Sequence, residues 1–233
     1  MTRGYRVMRL LVHILYLLQA RLRVYHAERV PREGPVLLVG NHLGLTDQFA
    51  VGLGLRRQLR IMTKREVFEW PLIGGLARLA GLISVRRGAS DRAALELLVG
   101  LLRDGRCVLV FPEGTFLRAP AAAAMASFKT GAAWLALRTG APVVPVALQG
   151  SERIWAPRHG WRWWHRPRVS VTFGEPYIPE MPRGVSMKVA LRAVSDEMGY
   201  RVAALLPEAY RGGYARERLP GEHIADGEIV SQA

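Results

Sequence analysis

The sequence predicts an α/β fold: a single domain on a mainly parallel sheet with helices on both faces, preceded by an N-terminal amphipathic membrane-interface helix. Three observations lead there. Short runs such as residues 36–39 and 107–111 are apolar throughout, the mark of strands buried on both faces. They alternate with segments of helical period, as crossover helices between parallel strands require. Polar clusters follow directly after the runs, where ligands bind in sheets of this kind.

The elements follow in order. Residues 5–18, YRVMRLLVHILYLL, read as a helix. Its charge-free part, 10–20, falls short of the about 20 apolar residues that a spanning helix needs. Arg6, Arg9, His13 and Arg23 lie near one stripe, with Leu11, Ile14, Leu15 and Leu18 away from it. Such a helix can lie in the headgroup plane with its arginines on lipid phosphates. Plain packing on the core and a signal peptide are the competing readings. Arg21 and Arg23 stand against the latter, at the place of a small-residue cleavage site.

After a loop at 30–35, residues 36–39 form a buried strand bounded by Gly40. Thr46 caps a helix from Asp47 to about Leu55. Residues 59–63 are a strand, 71–80 a helix and 82–85 a strand. Ser90 and Asp91 open a strongly periodic helix that runs to Arg103 and is closed by Gly105. Residues 107–111 are a strand, 131–138 a helix, 143–148 and 169–173 strands, and 187–206 the final helix. The segment after Gly212 is polar and expected to be loose. The chain thus divides into an N-terminal helix (1–29), a main domain (30–211) and a flexible tail (212–233).

Composition excludes several classes. Half of the 233 residues are hydrophobic, with 24 Gly and 14 Pro, an ordinary globular mixture rather than a disordered or collagen-like one. The single cysteine, Cys107, can form neither an internal disulfide nor a cysteine-rich zinc site, which points to a reducing compartment. Lys and Arg number 33 against 19 Asp and Glu, a net charge of +14. That balance favours an anionic partner: nucleic acid, anionic lipid or a phosphorylated substrate.

Three clusters can carry chemistry. In Asn41-His42-Leu43-Gly44-Leu45-Thr46-Asp47, a histidine leaves a strand and an aspartate opens the next helix. The histidine can act as a general base, and the aspartate can fold back to fix its tautomer. The spacing alone fits equally a helix start beside an incidental loop histidine. Val110-Phe111-Pro112-Glu113-Gly114-Thr115 also follows a strand, with a glycine that permits close approach of a ligand. Lys64-Arg65-Glu66 and the run from Gly81 to Arg87 place cations at strand ends, either to hold a phosphate or as a solvated basic face.

In combination these clusters are more specific. NHxxxxD, KxE, GxIxVxR, FPEGT, Phe128-Lys129-x-Gly131 and Val144-Pro145-Val146, in this order, resemble the glycerolipid acyltransferase superfamily, and most closely the bacterial 1-acylglycerol-3-phosphate acyltransferases. The resemblance covers residues 34–178. It implies that His42 deprotonates an acceptor hydroxyl with Asp47 orienting it, and that the oxygen attacks an acyl thioester directly. It places Lys64, Arg87, Glu113, Gly114, Thr115 and Lys129 in substrate binding, and Pro145 near the acyl donor. It further implies a lysophospholipid acceptor, acyl-CoA or acyl carrier protein as co-substrate, no bound cofactor and no metal. The expected location is the cytoplasmic face of the cell membrane, peripheral or monotopic, on an anionic surface. Cys107, in mid-strand, is then a buried small hydrophobe.

The sequence departs from that pattern after FPEGT. The family often continues with arginine and serine, the arginine helping to hold the acceptor phosphate; here Phe116 and Leu117 stand there, and Arg118 comes later. Either Arg118 substitutes through a shifted loop, or the acceptor lacks that phosphate, as would a lyso-form of an amino-acid-derived or glycosylated lipid. The stretch at 154–168, with tryptophans among arginines, suits an interfacial belt, a packed loop or a single-stranded nucleic-acid surface. A basic nucleic-acid-binding module is therefore the rival from another class, although no helix-turn-helix, finger or RNP-like signature supports it. No nucleic acid is expected as partner.

Overall fold

The computed structural model describes residues 1–64, 68–69, 73–80, 82–85, 91–114, 124–154, 166–215, 222–225 and 228–231. Helix α1 (Arg3–Gln19) leads into β1 (Arg21–Tyr25), β2 (Val36–Gly40), α2 (Asp47–Gly54), β3 (Leu59–Lys64), α3 (Ile73–Ala80), β4 (Ile83–Val85), α4 (Asp91–Arg103) and β5 (Cys107–Val110). Then come α5 (Gly131–Thr139), β6 (Val143–Gln149), β7 (Arg168–Phe173), α6 (Met187–Ala203), α7 (Glu208–Arg211), β8 (Glu222–Ala225) and β9 (Glu228–Ser231).

Seven strands form one sheet in the order β1-β7-β6-β2-β5-β3-β4. Only β6 and β7 are antiparallel; every other neighbouring pair runs parallel. All five residues of β2 are buried, as befits a strand flanked on both edges and covered on both faces. Helices α1, α2 and α3 pack together as one layer, and α4, α5 and α6 as the other. The carboxyl ends of β2, β3, β4, β5 and β6 share one edge of the sheet because these strands are mutually parallel. That edge receives the His42 loop after β2, the Phe111 turn after β5 and the end of β3 at Lys64.

Three features add to the expectations. The sheet begins at Arg21, inside the segment assigned to the N-terminal helix. Its first strand pairs with β7 from Arg21↔Arg168 to Tyr25↔Thr172. Arg21, Arg23 and Tyr25 face solvent while Leu22 and Val24 turn inward, a period-two pattern that charge conceals and that suits a sheet edge. The tail is not structureless: Tyr214 is buried, and β8 and β9 form an antiparallel hairpin. On helix α1 the basic stripe divides, with Arg6 and His13 exposed. Tyr5 and Tyr16 are buried, and Arg9 turns inward to donate to the Leu53 carbonyl at 2.8 Å. The exposed side also carries Val7, Leu10, Leu11, Ile14, Leu15, Leu17 and Leu18. Among the described residues no helix is long and apolar enough to cross a membrane.

Candidate active site

Strand β2 ends at Gly40, and Asn41 continues its ladder with a side chain instead of the backbone. The Asn41 amide donates to the Leu148 carbonyl at 2.9 Å and accepts from the Leu148 N–H at 2.8 Å, both in a fully buried setting. This double bond fixes the point at which the chain leaves the sheet. His42 is the next residue.

The His42 Nδ1 lies 2.8 Å from Asp47 Oδ2. The same oxygen accepts the Leu43 N–H at 2.6 Å and the Gly44 N–H at 2.8 Å. Asp47 is fully buried and opens α2, so three donors and a helix N-terminus compensate its charge. With an ionised aspartate, Nδ1 carries the proton and Nε2 is left with its lone pair. The imidazole stacks on the Phe111 ring at 4.2 Å between centroids and 8° between planes. That contact sets the ring plane, and the His42 side chain is 16% exposed.

Glu113 is 6% exposed, and its Oε1 accepts the His42 backbone N–H at 3.3 Å. The Ala126 backbone supplies a further hydrogen bond. Burial pushes the carboxyl up to about 8, so it is largely neutral at neutral pH. Its geometry is that of a tie between the His42 loop and the segment at 126.

Gly114 adopts φ +76°, and a Cβ there would lie 2.8 Å from Lys129 Nζ. The positive φ favours glycine at this turn, and the Lys129 side chain runs against it. The Lys129 N–H in turn donates to the Pro112 carbonyl at 3.0 Å, so the lysine segment is docked on the turn that follows β5.

The structure therefore brings together His42, Asp47, Glu113, Gly114 and Lys129. Lys64 closes β3 at the same edge of the sheet. Pro145 is elsewhere: it is buried inside β6, paired with Val39 one step before the edge. Its carbonyl accepts from Gly174 at 2.8 Å, on the side where the pairing with β7 has ended at Phe173, so the missing N–H costs no ladder bond. Arg87 and Thr115 lie outside the described residues, as do Phe116, Leu117, Arg118 and residues 155–165 of the tryptophan-rich stretch. Cys107 is buried in β5, and burial pushes its thiol up to about 12, which leaves it inert as a nucleophile. Asn41 and Phe111 stand in the sequence motifs without an assigned role. Their signal is positional, one residue past a strand on either side of the histidine.

A histidine paired with a buried aspartate thus lies at the carboxyl edge of a parallel sheet, beside a glycine turn against which a lysine runs. The Acyltransferase family model matches residues 21–149, and the chain belongs to that family. It is an acyltransferase. The chain is 25% identical over 193 residues to the 1-acyl-sn-glycerol-3-phosphate acyltransferase of Bacillus subtilis, a match covering 82% of this chain and 92% of that one. It is 39% identical over 119 residues to the lyso-ornithine lipid O-acyltransferase of Pseudomonas aeruginosa, covering 51% of this chain and 44% of that one. The fold is shared with the crystal structure of the 1-acyl-sn-glycerophosphate acyltransferase PlsC from Thermotoga maritima. There the TM-score is 0.65 at 24% identity, over 86% of this chain and 78% of that one.

Proposed function

We propose that the protein is a membrane-surface O-acyltransferase that moves a fatty acyl chain from a thioester of coenzyme A or acyl carrier protein to the free hydroxyl of a lysophospholipid, 1-acylglycerol-3-phosphate in the first place. The observation that carries the reading is the His42–Asp47 pair. Its 2.8 Å contact on Nδ1 reserves Nε2 for the substrate.

His42 Nε2 takes the hydroxyl proton as the acceptor oxygen bonds to the thioester carbonyl carbon. The tetrahedral oxyanion collapses, the C–S bond breaks, and the leaving thiolate takes the proton back from the imidazolium. Asp47 stabilises that imidazolium while it lasts. A thioester is already activated, so neither an acyl-enzyme, a metal nor a resident cofactor is needed. Lys129, Lys64 and Arg87 supply cations for an anionic acceptor, Gly114 and Thr115 its backbone contacts, and Pro145 belongs to the donor side. The apolar face of α1 lies on the cytoplasmic surface of the membrane, where the +14 charge favours anionic lipid.

A second acceptor has specific support. Phe116 and Leu117 stand where the resemblance leads one to expect a phosphate-holding arginine, and one relative is named for lyso-ornithine lipid. The test is acyl transfer by purified protein with labelled acyl-CoA and acyl carrier protein, against lysophosphatidate, lyso-ornithine lipid and other lyso-lipids, with His42→Ala alongside. Consumption of lysophosphatidate, abolished in a folded mutant, upholds the reading. A preference for lyso-ornithine lipid keeps the chemistry and moves the acceptor. Absence of transfer from either donor to any acceptor overturns both.

A further inference from the structure

The family match ends at residue 149, yet residues beyond 190 close on the active-site segment. The Phe128 N–H donates to the Tyr214 hydroxyl at 2.9 Å. The Phe128 carbonyl accepts from Arg192 Nη1 at 2.6 Å and from Ser195 Oγ at 3.1 Å. Ser195 Oγ lies equally 3.1 Å from the Lys129 carbonyl, so its one proton is shared between consecutive peptides. Arg192 is ion-paired to the buried Asp196 one turn along α6, which holds its guanidinium in place. Three residues earlier, the Met125 N–H donates to the Tyr210 carbonyl at 2.9 Å.

The aromatic packing is equally specific. The Tyr214 ring meets Phe128 edge-on at 5.6 Å and Tyr200 at 5.2 Å. Its seat on α6 exists because residue 199 is glycine: a Cβ there would lie 2.2 Å from the Tyr214 ring. Both polar backbone groups of Phe128 are thus bonded to the C-terminal part of the chain. The N–H of Lys129 is bonded to Pro112 on the active-site turn. Between these two moorings the lysine side chain runs over Gly114.

We propose that Arg192, Ser195 and Tyr214 are positioning residues, a C-terminal clamp that sets Lys129 over the Gly114 turn for the anionic group of the acceptor. The inference rests on the reading of Lys129 as an acceptor-binding cation, and its test separates the two. None of the clamp residues touches substrate; each acts through the 128–129 backbone.

Ser195→Ala and Tyr214→Phe each delete one hydroxyl and keep the packing. Initial rates are measured with lysophosphatidate in uncharged detergent micelles and with acyl-CoA, each varied in turn. Each variant raises the acceptor KM about two- to ten-fold, the span set by one hydrogen bond, and leaves the donor KM and the kcat near wild type. In a Lys129→Ala background the same substitutions add nothing further, because the group they aim is gone. Amide hydrogen exchange supplies a readout independent of activity: exchange at Phe128 and Lys129 quickens in both variants, while the β2 and β6 amides keep their protection. A uniform fall in kcat with a lowered Tm, additive with Lys129→Ala, reduces the network to plain stability and overturns the proposal. So does unchanged exchange at 128–129. If Lys129→Ala leaves the acceptor KM unaltered while exchange still responds, the clamp stands as a backbone device and the role of Lys129 falls.

Discussion

His42 is held on three sides: by Asp47 on Nδ1, by Phe111 across its ring and by Glu113 on its backbone. The histidine and two of these holds each predict a different failure. If His42 is the base as proposed, His42→Ala should lower kcat by about 10²–10⁴-fold with little change in Tm. Asp47→Asn keeps an oxygen for the Leu43 and Gly44 N–H groups but removes the charge opposite the imidazolium; kcat should fall at least about ten-fold while the fold persists. An Asp47→Asn enzyme with wild-type kcat would show that the aspartate serves only the loop. Glu113 predicts a pH effect on stability. Its carboxyl lies above the ordinary 4.5, at about 8, because burial disfavours the anion. The folded state therefore keeps a proton that the unfolded state has released, and stability is lost as pH rises from about 4.5 through about 8. Glu113→Gln cannot ionise and keeps an oxygen for the His42 N–H, so its Tm should decline less across that window than the wild type's. Parallel Tm profiles for the two proteins would remove ionisation of Glu113 as the cause.

At the scale of elements, what the sequence revealed depended on how a segment buries itself. β2 and β5 are covered on both faces, so their apolar runs were legible, and with them the loops that carry His42 and Glu113. β1 is an edge strand whose arginines alternate with Leu22 and Val24, and charge masked a pattern five residues long. α1 was legible as a helix, but its facing was decided by tertiary contacts that no local pattern reports: Arg9 on the Leu53 carbonyl, and Tyr5 accepting the Leu59 N–H at 3.3 Å. The clamp from α6 and Tyr214 was invisible for the same reason, since its bonds join residues more than sixty positions apart. The exposed side of α1 yields its own prediction. Leu11→Asp with Leu15→Asp, both outward-facing, should reduce co-sedimentation with anionic vesicles by at least about ten-fold, given roughly 1.5–3 kcal/mol for burying each leucine. Activity on a short-chain acceptor dissolved in water should survive in this variant. Retained vesicle binding would assign the membrane contact to another surface.

For the molecule as a whole, the charge and the site must serve the same substrates. On the proposed function, a net +14 would attract bilayer, thioester donor and phosphorylated acceptor alike, raising encounter without choosing between acceptors. The choice falls to fixed groups at the carboxyl edge, because discrimination needs a contact that one acceptor makes and another lacks. Lys129 over Gly114 is one cation there. A lone ammonium is a point charge that serves a phosphate or a carboxylate alike, whereas a guanidinium fork engages two phosphate oxygens together. Phe116 stands immediately after FPEGT, where the resemblance leads one to expect such a fork. Phe116→Arg should therefore shift preference toward lysophosphatidate, raising its kcat/KM relative to that of lyso-ornithine lipid by about ten-fold or more, as a charge-assisted hydrogen bond warrants. The two lipids are compared in the same micelles at fixed donor concentration, so that surface charge and thioester supply cancel from the ratio. A ratio that does not move would mean that residue 116 does not face the acceptor headgroup, and that selectivity resides in Lys64, Arg87 and Lys129. A ratio that moves while the absolute rate on lyso-ornithine lipid stays constant would mean that the phenylalanine withholds a phosphate contact without contributing one of its own.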